Sequence, residues 1–214
     1  MRFSLLILLF FPCLASAFWT GISLELGNTD SDWRFDNDTR EAQVSELNFQ
    51  IEEKTNSDLV VGASIGYVDL RVVADSDSAA QTLKFDGQYL GLYLRQPFRI
   101  SDHVGLHLLL DLRYNVGTES GVNADEDEAR IEWTQSGVEI GVGFRFANLR
   151  ISPYAAYQDI DGDIDADSTE IFELAESLTR GIRFDYFVES TAFIRFEYVS
   201  GARNGGYLNF VRRY

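Results

Sequence analysis

The residues best suited to chemistry form an acidic run in the last third of the chain. Counted from the first of them, carboxylates stand at positions 1, 3, 5, 7, 9 and 12, and these are Asp159, Asp161, Asp163, Asp165, Asp167 and Glu170. Carboxylate oxygens at this spacing suit a hard cation such as calcium. Position 6 is Ile164, however, where the calcium loop of EF-hands turns on glycine. The run predicts either a calcium site or a solvated acidic loop, and no other cofactor is expected.

Catalysis has weaker support in the sequence. His103 and His107 are its two histidines, and four residues of a strand separate them by about 13 Å, too far to share one metal ion. His107 is predicted to lie opposite Tyr93 and near Glu139. No serine stands in the same run to complete a nucleophilic triad. We therefore expect no enzyme activity and assign no catalytic residue.

Four charged residues near the C terminus predict ion pairs. If Glu189-Ser190-Thr191 forms a tight turn, Arg183 faces Glu197 and Asp185 faces Arg195 across the two flanking strands. Opposite charges directly across a ladder attract one another, and more strongly with bidentate geometry in a narrow lumen. The alternative is that these side chains stand independently in an open, water-filled channel.

Strands must position these residues, because hydrophobicity alternates with period two along most of the chain. Between Gly105 and Gly117 every even-numbered residue is large and apolar, whereas the odd-numbered ones include His107, Asp111 and Arg113. Short and long connections alternate between the predicted strands. Ten strands are predicted, at 18 to 28, 43 to 53, 59 to 72, 82 to 96, 103 to 117, 131 to 146, 149 to 160, 178 to 189, 192 to 201 and 206 to 214.

This pattern predicts an all-β fold, an antiparallel up-and-down transmembrane β-barrel of about ten strands, with eight as the alternative. A closed barrel satisfies every backbone polar group in lipid. The charged row then faces a narrow polar lumen, where inward glycines leave room for large side chains such as Arg95, Arg113 and Arg145. A soluble, lipocalin-like barrel is less consistent with the sequence pattern. Its fifth strand would have to bury six large apolar residues on one face or expose them to water.

Aromatic residues and loop charges fit the same arrangement. Aromatic rings collect at membrane interfaces, and two girdles are predicted: one of Phe18, Phe146 and Tyr214, the other of Tyr67, Tyr114, Tyr157 and Tyr198. The long connections are acidic, with Asp30, Asp32, Asp36 and Asp38 in the first and residues 125 to 128 in the third. After the acidic run, Glu170, Ile171, Leu174, Ala175 and Leu178 have helical spacing, which predicts a short surface helix or an upward extension of the eighth strand.

Composition and the N terminus limit the function classes. The 214 residues carry a net charge of −16, which disfavours binding to nucleic acid because phosphate backbones are repelled. An apolar run followed by Ala15-Ser16-Ala17 predicts a secretory signal peptide over residues 1 to 17 and a barrel domain over 18 to 214. Cys13, the only cysteine, would leave with the signal.

The last strand carries a family resemblance. Leu208, Phe210 and Tyr214 alternate and end on an aromatic residue, and in this the chain resembles the small bacterial outer-membrane β-barrel proteins, whether porin-like or of the autotransporter β-domain type. Arg212 departs from the pattern because it places a charge in the lipid-facing row. The resemblance implies export to the bacterial outer membrane, contact with its lipid, recognition of the terminal strand by the barrel-assembly machinery, and periplasmic short turns.

Two functions are consistent with these features. One is a structural or passive barrel that admits small solutes or ions through a narrow, salt-bridged lumen. The other is a surface interaction or cation-binding barrel that acts through its acidic extracellular loops. Conductance across a planar bilayer separates the two, since only the first passes current.

Overall fold

The fold is built from strands alone. The computed structural model describes residues 19–36, 38–73, 82–120, 129–166 and 168–214. The predicted signal peptide, Phe18, residues 125 to 128 and Asp167 lie outside them. No described helix has the length and hydropathy of a membrane span. The described strands are β1 (Trp19–Phe35), β2 (Thr39–Lys54), β3 (Val60–Val73), β4 (Leu83–Arg99), β5 (Val104–Glu119), β6 (Arg130–Phe146), β7 (Leu149–Asp165), β8 (Thr169–Leu174), β9 (Leu178–Glu189), β10 (Ala192–Gly201) and β11 (Asn204–Arg213).

Ten of these strands close into an antiparallel barrel. β1 to β7 follow one another, β7 pairs with β9, and β9, β10 and β11 lead back to β1. This confirms the predicted fold and the predicted strand number. Short turns at 55–59, 100–103, 147–148 and 190–191 lie at one end of the barrel, which we call the turn end. The opposite end carries the longer connections and is called the loop end.

Several strands run further than the sequence predicted. β1 continues to Phe35 rather than to residue 28, and β7 to Asp165 rather than to residue 160. The acidic residues Asp30 and Asp32 therefore lie on a strand, not in a long loop. β4 also extends to Arg99, which moves the following turn and changes the register.

The position of His107 is corrected by that register. It pairs with Pro97 across β4 and β5, whereas Tyr93 pairs with Asp111. The prediction that His107 faces Tyr93 is wrong because the chain stays extended through Pro97 before it turns.

The outer wall is apolar over the part of the barrel next to the turn end. On β5 the outward row of Leu108, Leu110, Leu112 and Tyr114 is exposed, while His107, Asp111 and Arg113 point inward. Equivalent rows follow β1 to β4, β6, β7 and β9 to β11. Side chains this apolar are not stable against water over so large a surface. The exposed aromatic residues include Phe146 and Tyr214 at the turn end, and Tyr67, Tyr114, Tyr157 and Tyr198 nearer the loop end.

The polarity of each row reverses toward the loop end. On β1 the outward residues change from Leu24 and Leu26 to Asp30 and Asp32, while the inward residues change from Glu25 to Trp33. Even-numbered residues of β1 face outward along its whole length, and only the polarity of the side chains changes. Beyond the apolar band, the inner face of the sheet is thus apolar and its outer face is polar, as in a water-soluble barrel.

β8 completes this outer part. It pairs on one side with the end of β7, at Asp161–Asp165, and on the other with the end of β1, at Trp33–Phe35. β9, β10 and β11 end below it. At the loop end the wall therefore consists of the eight strands β1 to β8, a section that we call the upper barrel.

The upper barrel is filled by an apolar cluster, which we call the outer core. Trp33 stacks on Phe172 with ring centres 4.5 Å apart, and Trp133 lies 6.0 Å from Trp33. An eight-stranded barrel is just wide enough for side chains to fill. The outer core consists of Trp33, Phe35, Ala42, Val68, Leu70, Val72, Phe85, Tyr89, Ala129, Ile131, Trp133, Ile160, Ile164, Phe172, Leu174 and Ala202.

The helix predicted after the acidic run is wrong. Phe172 is 1% exposed and Leu174 is buried, whereas Ile171, which precedes Phe172, is 64% exposed. This alternation places one row of β8 in the outer core. The strand also pairs with the free backbone groups of β1 and β7, which a helix at this position would leave without partners.

We expect Phe172→Ala to destabilise the upper barrel. Removing a buried ring costs about 3–5 kcal/mol, because the cavity cannot fully collapse. Unfolding of the detergent-solubilised protein in urea, followed by tryptophan fluorescence, measures the loss through Trp33 and Trp133. The neighbouring Ile171→Ala is the matched control and should change the free energy of unfolding by less than about 0.5 kcal/mol. Equal effects of the two changes would contradict the assignment of the outer core.

Candidate functional site

The lumen below the outer core is packed with charged side chains. Arg183 on β9 donates from Nε to Glu197 on β10 at 2.6 Å, and from Nη2 to Glu139 on β6, also at 2.6 Å. Nε2 of His107 lies 2.7 Å from the other oxygen of Glu139. The residues Arg183 and Glu197 are directly opposite in the ladder. One buried guanidinium on β9 thus joins carboxylates on β6 and β10.

A second group surrounds Asp185, whose side chain is completely buried. Arg195, directly opposite, donates from Nε to Oδ1 at 2.6 Å, and Arg150 on β7 donates from Nε to Oδ2 at 2.7 Å. The turn after β9 sets this pairing, as the sequence predicted for Asp185 and Arg195. Arg150 was missed, because the long connection between β7 and β9 does not fix the register that places Arg150 opposite Asp185.

Further polar contacts line the wall between these groups. Arg95 donates to Glu52 at 2.8 Å, and Arg113 to Glu46 at 3.0 Å. Glu25 is buried and accepts hydrogen bonds from the side-chain amides of Asn48 at 3.2 Å and Asn209 at 3.0 Å. Charged groups in a narrow lumen are stable only when they are paired or hydrogen-bonded in this way.

Glycines opposite tyrosines make the room for this packing. Tyr93 lies against Gly62 and Tyr154 lies against Gly181 on the adjacent strands. A Cβ atom at either glycine would overlap the tyrosine ring. The rings therefore lie flat across the neighbouring strand, and their hydroxyls reach Glu52 and Glu197.

What remains of the lumen is small. A cavity of about 130 Å³ lies among the ion pairs, and one of about 20 Å³ lies beneath the outer core, with Arg203 lining both. A buried water needs roughly 10–15 Å³ of such space. The larger cavity has room for several waters, and its lining residues do not include the tryptophans and phenylalanines of the outer core.

The described residues of the acidic run lie on strands rather than in the loop that their spacing suggested. Asp159, Asp161, Asp163 and Asp165 alternate along β7 and share its outward face. In an extended strand, alternate residues stand about 7 Å apart, so their carboxylates do not converge on one ion. Among the described residues, no group of three or more His, Cys, Asp or Glu side chains is placed to hold a metal ion.

Neighbouring charges around this row are mostly alike. The pKa of Asp161 is raised by partial burial and by the adjacent carboxylates of Asp159 and Glu173. Glu170, the last residue of the run, is paired instead with Arg40 on β2 at 2.7 Å. The outward face of β7 is therefore an acidic surface in water rather than a site with a defined centre.

Comparison with known proteins shows the fold. No protein-family model and no curated protein matches the sequence. Among solved structures, the translocator domain of the autotransporter NalP from Neisseria meningitidis is similar, with 13% identity and a TM-score of 0.52 over 95% of this chain and 91% of that one. The β domain of the Bordetella autotransporter Brka has 14% identity and a TM-score of 0.51, over 91% and 98%. The chain thus has the closed fold of outer-membrane β-barrels.

The pair formed by Asp185 and Arg195 should be strongly coupled. A double-mutant cycle with Asp185→Asn and Arg195→Gln is expected to give a coupling energy of about 2 kcal/mol, since the pair is buried and bidentate. Urea unfolding in detergent measures each corner of the cycle. Glu189 and Arg212, an exposed pair at the turn end, provide the control, for which coupling below about 1 kcal/mol is expected. Zero coupling between Asp185 and Arg195 would show that these groups are solvated independently.

Proposed function

We propose that this protein is an integral outer-membrane barrel that does not conduct. It acts as a sealed anchor, and its upper barrel, a rigid folded rim outside the membrane, is the part that meets other molecules. This choice develops the interaction alternative above and rejects the passive channel. The observation that carries it is the outer core, a cluster of buried apolar side chains inside the upper barrel.

The apolar wall supports the membrane placement. Strands of a transmembrane barrel need about 9–11 residues to cross the hydrocarbon layer, which matches the part of each strand with outward leucine, isoleucine and phenylalanine. Export through the N-terminal signal and insertion through the terminal strand ending in Tyr214 belong to the same proposal. The turn end then faces the periplasm and the loop end faces the exterior, as in barrels with short periplasmic turns.

Two layers of packing support the absence of conduction. Below the outer core, Arg183 and its partners Glu139 and Glu197 link β6, β9 and β10 inside the lumen. Above them, Trp33, Trp133 and Phe172 occupy the axis. An ion would have to pass an apolar, close-packed cluster without water, at a large cost in hydration.

The outer surface of the upper barrel supports an interaction role. Asp32 on β1, Glu41 on β2 and Asp163 on β7 all face outward there. A surface with this sign of charge attracts cationic partners and repels phosphate-rich ones. No catalytic role is proposed for His107, because the carboxylate it contacts is already held by Arg183.

We expect the purified barrel to be silent in planar bilayers. Inserted protein should show no stepwise current at molar KCl, because the outer core leaves no continuous water path. Insertion is checked by heat-modifiable migration in detergent gels. A variant with alanine at Trp33, Trp133 and Phe172 removes the widest side chains of the seal and serves as the comparison, in which leak currents are expected. Steady currents from the unmodified protein would contradict the sealed barrel.

A further inference from the structure

The turn end of the lumen concentrates arginines around two aromatic rings. Phe187 and Phe193 lie with ring centres 5.2 Å apart. The guanidinium carbons of Arg145 and Arg150 lie 4.8 Å and 5.6 Å from the centre of Phe187. Those of Arg150, Arg195 and Arg213 lie within 5.9 Å of the centre of Phe193. We call the group of Arg145, Arg150, Arg195 and Arg213 the arginine mouth.

Positive charge at the arginine mouth exceeds the negative charge that faces it. The described lumen-facing carboxylates at this end are Asp185 and Glu52. Asp185 is shared by Arg150 and Arg195, and Glu52 is shared by Arg95 and Arg213. With Arg213 left aside, Arg95, Arg145, Arg150 and Arg195 are four guanidinium groups that face these two carboxylates.

Three of the other carboxylates near the turn end have cations of their own. Asp58 is paired with Lys54, Asp102 with Arg99, and Glu189 with Arg212. They therefore do not neutralise the excess positive charge of the arginine mouth.

Arg145 is the arginine of the arginine mouth to which these ion pairs assign no carboxylate. It stands directly opposite Arg150 in the ladder between β6 and β7, and like charges in that position repel one another. Within the described part of the chain, Arg145 forms no ion pair, and its side chain is exposed to the opening. The ring of Phe187 attracts the cation, but it accepts none of the guanidinium N–H hydrogen bonds. The donors of Arg145 therefore remain available to a ligand that enters from the turn end.

We propose that the arginine mouth binds a phosphate group, with Arg145 as the main contact and Arg150 as the second. A guanidinium binds phosphate through two parallel hydrogen bonds, and a phosphate has enough acceptor oxygens for two such forks. At neutral pH its charge of about −1.5 to −2 offsets most of the excess. A free phosphate and the phosphate of a lipid headgroup share this chemistry. The periplasmic location of the site rests on the orientation given under the proposed function.

Titration calorimetry in octyl glucoside, a detergent without phosphate, tests this site. Inorganic phosphate is titrated into the folded barrel in one arm, and dihexanoyl phosphatidic acid below its micelle concentration in the other. Binding is expected in at least one arm, and Arg145→Gln should weaken it about tenfold. Similar affinities in both arms would identify the phosphate group itself as the ligand, whereas much tighter binding of the lipid would identify a headgroup.

Arg212→Gln is the matched control, because it removes the same charge from the outside of the same end. It should leave the affinity within about twofold of the unmodified protein. Absence of heat in both arms would overturn the proposal, as would equal weakening by Arg145→Gln and Arg212→Gln. Neither result bears on the sealed barrel, which is tested by conductance: Arg145 lies far from the outer core.

Discussion

The structure depends on one constraint: its strands are longer than the membrane is thick. β1, β4, β6 and β7 each contain 17 residues, whereas a tilted strand needs about 9–11 to cross the hydrocarbon layer. The same sheet must therefore satisfy lipid along one part of its outer face and water along the rest. Its inner face has to compensate at each level, with polar groups where the outside is apolar and apolar groups where the outside is polar.

The interior of the membrane section and the interior of the upper barrel are stabilised in different ways. Within the membrane section, a ten-stranded barrel leaves space that large paired groups such as Arg183 and Asp185 occupy, together with tyrosines placed over glycines. In the upper barrel, β8 replaces three strands, and the closure narrows from ten strands to eight. An eight-stranded section can be filled by side chains alone, which allows Trp33 and Phe172 to close the lumen without charges. The proposed seal thus depends on the change in strand number.

Much of the membrane section could be predicted from the sequence. Period two along each strand indicated the fold, the strand number and the row that faces lipid, and a tight turn was enough to place Arg183 opposite Glu197. Contacts between strands distant in sequence could not be predicted in this way. The Arg150 contact with Asp185 depends on the register between β7 and β9, which the long connection between these strands does not fix.

The upper barrel was missed for a physical reason. Its outward residues, such as Asp30 and Asp161, are acidic, and a run of acidic residues after an apolar row is typical of a loop. The inward row continues on alternate residues from Glu25 to Trp33, but its side chains change from polar to apolar at the membrane surface. Around β8, the apolar residues at 171, 174 and 178 match a helical period, while Phe172 and Leu174 match a strand. The strand is favoured over the helix only because the edges of β1 and β7 have backbone groups with which this segment can pair.

Site-directed spin labelling on β1 tests the reversal most directly. Single cysteines replace Leu26, Asp32 and Trp33 in the barrel without Cys13, and power saturation in lipid bilayers measures collisions with oxygen and with a water-soluble nickel chelate. We predict that the label at Leu26 collides mainly with oxygen, the label at Asp32 mainly with the chelate, and the label at Trp33 with neither. A label at Asp32 that responds as the one at Leu26 does, or a label at Trp33 that is fully accessible to the chelate, would contradict the account.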